Sequence, residues 1–229
     1  MPHMSSCISR IASLSLFLFV PLAVLSQSGK KKMVVTETDT IPLFRGVAVS
    51  ADAVGALQMA LGSYGQYEAA LRVNLKDKYY PIVELGLGKA DAENVVKGMS
   101  YKTSAPYGRV GLDFNLLKNK HDDYRLYAGG RYAYTSYKYD AQGSGMKDPV
   151  WGEEVPFEVR DVKCSYHWLE MVVGVDAKIA GPVRLGWSLR YKRRLIHDDG
   201  DMGNTWYVPG YGKQGNTRLG GTFNLIFEL

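Results

Sequence analysis

The chain has 229 residues, of which 46% are hydrophobic and 22% charged, and its formal net charge is +5. That apolar content supports a buried core and excludes a disordered polyampholyte. A mean hydropathy of −0.18, with only one long apolar run, excludes a bundle of membrane-spanning helices.

Residues 1–26 read as a secretory signal. Arg10 forms the basic n-region, residues 11–25 the apolar stretch, and Val24 and Ser26 the −3 and −1 positions of a cleavage site before Gln27. The stretch is short for a bilayer span and contains Pro21. No Cys lies just after it, which argues against a lipoprotein. Removing Arg10, the one formal charge of this segment, takes the net charge from +5 to +4. Cys7 leaves with the signal, so Cys164 is alone and no intramolecular disulfide is available. The positive charge is dispersed along the chain, which gives nucleic-acid binding no support.

Residues 27–42 are a polar leader containing Lys30, Lys31 and Lys32. After the leader, from residue 43, the pattern has period two almost to the end, the mark of strands whose successive side chains point to opposite faces. Val183, Leu185, Trp187, Leu189 and Tyr191, for example, alternate with Arg184, Gly186, Ser188, Arg190 and Lys192. Eight strands are predicted, over 44–53, 65–75, 79–89, 105–116, 124–139, 166–179, 183–195 and 217–229. The connections at 76–78, 117–123 and 180–182 are short. Those after the first, third, fifth and seventh strands are long, and they include 141–165 and 196–216. Short turns at one rim and long loops at the other, on an even number of strands, predict a closed antiparallel eight-stranded transmembrane β-barrel of the outer membrane.

A soluble ligand-binding barrel has the same period with its faces exchanged. Three features favour the membrane orientation. The polar face is rich in glycine (Gly86, Gly88, Gly111, Gly129, Gly174, Gly186, Gly220), which suits a crowded interior. That face sets Glu68, Glu84, Asp113, Glu170 and Asp176 against Arg72, Arg109, Arg131, Arg184 and Arg190, as an internal ion-pair network would. The apolar face carries aromatics in bands: Tyr79, Phe114 and Phe227 near the short turns, and Tyr132, Tyr134, Trp187 and Tyr191 farther along.

Several segments, "YGQYE" at 64–68, "YKTSAPYGR" at 101–109, "GWSLRYKRRL" at 186–195, "WYVPGYGK" at 206–213 and the final "TFNLIFEL", resemble a family of exported Bacteroidota proteins known as domain of unknown function 6048. The resemblance covers nearly all of the chain after the signal and implies an outer-membrane β-barrel. It brings no activity, ligand or catalytic residue. Leu229 stands where barrel-insertion machinery often reads a terminal aromatic, although Phe223 and Phe227 keep the apolar register.

The side chains of a narrow barrel fill it, so the ten charges are expected to plug the lumen and set strand register rather than line a pore. Lys192, Arg193 and Arg194, at the outer end of the seventh strand, are candidate contacts for lipid phosphate. A lipid A-modifying enzyme would need a nucleophile, base and orienting acid. Ser165 and His167 share a face, whereas Glu170 points to the other. The acidic run from Asp198 to Asp201 lacks the full ligand spacing of a calcium loop, and Trp151, Trp206, Tyr207 and Tyr211 either fold onto the rim or serve as recognition aromatics. The expected protein is therefore non-enzymatic, needs no cofactor or metal, and has outer-membrane lipid, lipopolysaccharide and barrel-insertion machinery as partners. The alternatives are a lipid A-modifying enzyme and a soluble periplasmic lipid-binding barrel.

Overall fold

The computed structural model describes residues 42–94, 99–147, 154–200, 203 and 205–229. The predicted signal, all but the last residue of the leader, Trp151 and Asp201 lie outside them. Eight strands form the wall: β1 (Phe44–Asp52), β2 (Tyr64–Leu75), β3 (Tyr79–Asn94), β4 (Met99–Asn115), β5 (Tyr124–Lys147), β6 (Glu154–Ala180), β7 (Val183–Asp198) and β10 (Thr217–Glu228). Each pairs antiparallel with its sequence neighbour, and β1 pairs with β10 from Ala48↔Glu228 to Asp52↔Asn224, which closes the barrel. Closure leaves no free edge along the lower wall.

The two faces divide by polarity. Leu85 is 66% exposed, while its neighbour Glu84 and the cross-strand Arg109 are each 1% exposed. Val83, Leu87, Val110, Leu169, Met171, Val173 and Leu189 share the exposed outer face; Asp113, Arg131, Asp176 and Arg184 are buried. A soluble barrel would show the reverse distribution.

The short turns follow local chemistry. In the β2–β3 turn Lys76 and Asp77 have φ of 55° and 53°, and the Lys78 amide donates to the Leu75 carbonyl at 3.1 Å. Two left-handed central residues make this a type I′ turn, whose twist matches paired strands. The Asn74 side chain supports it by accepting from the Asp77 amide at 2.9 Å.

The long-loop end differs from the sequence reading in three ways. First, residues expected in loops continue as strand: β3 and β4 run to Asn94 and from Met99, and β5 and β6 run to Lys147 and from Glu154. Much of the stretch 141–165, expected as a loop, is thus a paired hairpin. Its backbone ladder persists where alternation fades, and it carries register shifts at Tyr139/Ala141 and Ser144/Met146 and a positive φ at Asp161. Second, the β1–β2 connection contains a helix, α1 (Ala53–Leu61). Asp52 caps it by accepting from the Val54 and Gly55 amides, each at 3.1 Å. Third, the β7–β10 connection folds back and forms a small hairpin of β8 (Tyr207–Val208) and β9 (Gly212–Lys213).

Candidate functional site

All ten lumen charges singled out in the sequence point into the barrel, because each lies on the inward register of its strand. They form two tiers. In the tier nearer the loops, Glu84 receives Arg190 at 2.8 Å, Arg109 at 3.1 Å and Arg131 at 3.3 Å. Glu68 pairs with Arg109 and, at 3.1 Å, with Arg190, and accepts from the Tyr107 hydroxyl at 2.7 Å. Glu170 takes Arg109 Nε at 2.9 Å, Arg190 at 3.5 Å and the Trp168 indole N–H at 2.7 Å.

In the tier nearer the turns, Asp176 receives Arg184 at 2.7 Å and Arg72 at 3.1 Å. Asp113 receives Arg131 at 3.0 Å and Arg72 at 3.5 Å. Arg131 therefore ties the tiers together, since its two terminal nitrogens reach Glu84 and Asp113. Guanidinium planes also lie against rings: Arg109 is 4.6 Å from the Tyr107 centroid and Arg72 is 4.7 Å from that of Tyr127. Arginine suits these positions because its planar fork serves several carboxylates at once. The space between Glu68, Arg72, Glu84, Arg131 and Arg190 has a cavity volume of about 10 Å³, near the minimum for a single water.

The sequence reading missed two members, Arg125 and Glu228. They pair with each other, and Glu228 also takes Arg184 at 3.6 Å. Their signal was present. Arg125 shares the inward register of Tyr127, Gly129 and Arg131, and Glu228 that of Asn224 and Ile226.

Above the charges the inward face becomes aromatic, with Tyr101, Tyr107, Tyr137, Tyr139, Tyr166 and Trp168 buried around the mouth. Tyr207, Val208 and Tyr211 of the returning hairpin fill the centre and are no more than 2% exposed. The hairpin tip is a Pro209-Gly210 turn in which the Tyr211 amide donates to the Val208 carbonyl at 3.1 Å, with Gly210 at φ 79°. Glycine is required at this position twice over: the left-handed φ disfavours other residues, and a Cβ there would lie 2.5 Å from the Tyr107 ring. Gly88 makes the matching space in the wall, since its Cβ would lie 2.7 Å from Pro209.

The hairpin is also wired to the charges. The Gly210 carbonyl accepts from Lys192 Nζ at 2.7 Å and from Arg109 at 2.8 Å, and Lys192 reaches the Tyr211 carbonyl at 3.3 Å. This corrects the proposed lipid-phosphate cluster of Lys192, Arg193 and Arg194. Period two turns Lys192 into the lumen, where it is 7% exposed. Arg194 turns toward the mouth, donating to Tyr166 at 3.3 Å and Asn216 at 2.5 Å. Arg193 alone keeps an exposed, outward position.

The catalytic alternative is split by the wall. His167 lies on the outer register, with Nδ1 2.6 Å from the Tyr132 hydroxyl and its ring 4.5 Å from that of Tyr134. Glu170 is sealed in the lumen. Among the described residues no group of three or more His, Cys, Asp or Glu is placed to hold a metal ion.

At the opposite end Asp77 organises the turns. Its carboxylate accepts from Asn74 at 2.6 Å, lies 2.6 Å from His121 Nδ1 and is 3.2 Å from Arg45. Burial alone would raise its pKa. The Asn74 and His121 hydrogen bonds and the Arg45 charge outweigh that effect and hold it below the ordinary carboxylate value.

A family model described as Domain of unknown function (DUF6048) matches residues 8–228. No curated protein matches the chain. Similar solved structures include Neisserial surface protein A, at 13% identity and TM-score 0.43, covering 81% of this chain and 99% of that one. Another is Ail, the attachment invasion locus protein of Yersinia pestis, in complex with the heparin analogue sucrose octasulfate; it has 11% identity and TM-score 0.37, covering 80% and 93%. A third is a major outer membrane protein from Thermus thermophilus, at 16% identity and TM-score 0.38, covering 80% and 98%.

Proposed function

The chain belongs to the family described by domain of unknown function DUF6048, and from that premise, which brings no activity with it, we propose a non-enzymatic outer-membrane β-barrel protein. Its filled lumen is structural, and its long-loop end serves surface recognition or envelope architecture in a Gram-negative bacterium, of the Bacteroidota by the sequence resemblance. The observation that carries this reading is the inverted polarity of the wall, with Leu85 and Met171 outside and Glu84 and Arg109 within. Hydrocarbon stabilises the first set and cannot accept the second.

Two aromatic belts support it. Tyr79, Phe114, Tyr124 and Phe227 are exposed near the turns, and Tyr67, Tyr132, Tyr134 and Tyr191 are exposed farther up the wall. Tyr124 and Tyr134 of β5 are separated by about ten residues, the length with which a tilted strand crosses a bilayer. The partners that follow are outer-membrane lipid, lipopolysaccharide and the machinery that inserts barrels. The paired ends of β3–β4 and β5–β6 continue past the upper belt and offer the recognition surface. Among the described residues no triad is assembled for a lipid A-modifying role, and a soluble barrel would need the two faces exchanged.

Cell fractionation with electrophoresis of unboiled and boiled samples tests the reading. The mature chain is expected in the outer-membrane fraction, with a compact band that shifts on boiling. Recovery from the periplasm without a shift would overturn it.

A further inference from the structure

The barrel wall is incomplete in its upper half. β1 stops pairing with β2 at Ala51↔Ala69 and with β10 at Asp52↔Asn224, although β2 continues to Tyr64 and β10 begins at Thr217. Helix α1 occupies the position of the missing strand and packs against both β2 and β10. Asp52 fastens this junction, because the carboxylate that caps α1 also accepts from the Phe223 amide of β10 at 3.2 Å.

The helix lies on the outer side of the wall. Gly65 shares the outward register of Tyr67 and Ala69, and a Cβ on it would come within 2.4 Å of the Met59 backbone. In the first turn, a Cβ on Gly55 would meet both the carbonyl and the Cγ of Gln66 on β2, where the wall opens. Two glycines, one on each partner, thus permit the close seat. The opposite stripe of α1 faces away from the protein: Val54, Leu57 and Leu61 are 45%, 59% and 81% exposed. Their spacing of three and four places them on one side of a helix, and Ala53–Leu61 contains no charged residue. The stripe continues the exposed apolar wall on both flanks, with Tyr67 on β2 and Leu219 and Phe223 on β10.

We propose that α1 is an interfacial lipid-binding element, whose Val54–Leu57–Leu61 stripe takes up acyl chains of the outer leaflet where β1 is missing. The inference rests on the outer-membrane reading and adds a specific lipid contact to it. A helix can perform this task because its backbone groups are bonded internally and the Asp52 cap serves its first turn. A short helix with an apolar face can lie in the headgroup–acyl boundary, about 5–10 Å deep.

Nitroxide labelling tests the placement. In a Cys164→Ser background, Leu57→Cys, Leu61→Cys and the wall control Leu85→Cys are labelled and reconstituted into phosphatidylethanolamine/phosphatidylglycerol vesicles. A boiling-dependent gel shift verifies folding of each variant. Molecular oxygen, which partitions into hydrocarbon, is expected to relax all three labels several-fold more than a water-soluble nickel chelate. Nickel-dominated relaxation at 57 and 61 with oxygen-dominated relaxation at 85 would overturn the helix assignment and leave the barrel orientation standing. Nickel dominance at all three would overturn both.

Discussion

Glu84 shows at a single residue how this interior is held. It faces Arg109, Arg131 and Arg190 within 3.3 Å and is almost fully buried. Replacing it by Gln removes one negative charge but leaves three guanidinium groups with fewer acceptors. Breaking a buried pair in this way costs about 3–5 kcal/mol, more than the pair itself contributes relative to an apolar filling. Glu84→Gln is therefore expected to lower the denaturant midpoint of the reconstituted protein, while the outward Leu85→Val stays close to wild type. Equal midpoints for Glu84→Gln and wild type would remove the network from the stability argument. Asp77 makes a separate, pH-dependent contribution at the turn end. Its folded pKa lies below the ordinary 3.8, so its stabilisation is complete well above that value and is lost as pH falls through the folded pKa. Asp77→Asn should remove this component, giving a smaller difference from wild type at strongly acidic pH than at neutrality; a pH-independent difference would contradict the assignment.

At the scale of elements, the β8–β9 hairpin stoppers the mouth through specific attachments. Packing of Tyr207, Val208 and Tyr211 is apolar, whereas the Gly210 carbonyl is held by Arg109 and Lys192. Lys192→Met removes a donor without touching the strand ladder. The expected consequence is faster tryptic cleavage after Lys213, with the boiling-dependent gel shift of the barrel retained. Unchanged cleavage would mean that the Arg109 bond and the aromatic packing hold the hairpin without Lys192. The Pro209-Gly210 dipeptide announces a turn in the sequence, but its insertion into the lumen is set by distant residues. Gly88 leaves space for Pro209, and Tyr107 lies beneath Gly210. Such a fit between segments far apart in sequence leaves no periodic signal. Helix α1 is illegible for a related reason: the sequence reading places residues 54–64 in the long connection after the first strand, and nine residues are too few turns to set a helical period against it. Only the early termination of β1 creates the slot that the helix occupies.

Across the whole molecule, the two-sided wall is what the fractionation experiment interrogates, and that wall was the most legible feature of the chain. Alternation within the eight predicted segments determined the body of the eight wall strands and their inward and outward faces, though not how far β3 to β6 extend. The mixture of Glu, Asp and Arg on one face against Leu, Val and Tyr on the other determined which side is packed with charge, because a one-residue slip would reverse every side chain. Inside that frame the sequence also determined that the ten charges share the lumen. The tertiary structure decided the rest: which carboxylate meets which guanidinium, that Lys192 joins the lumen rather than a basic surface cluster, that the hairpin enters the mouth, and that a helix replaces half a strand. Strand faces follow from a local period of two. Partner choice across a closed barrel depends on shear and side-chain length, which bring Arg72 to Asp176 and Arg190 to Glu84 across 104 and 106 residues of chain, and no local pattern encodes that.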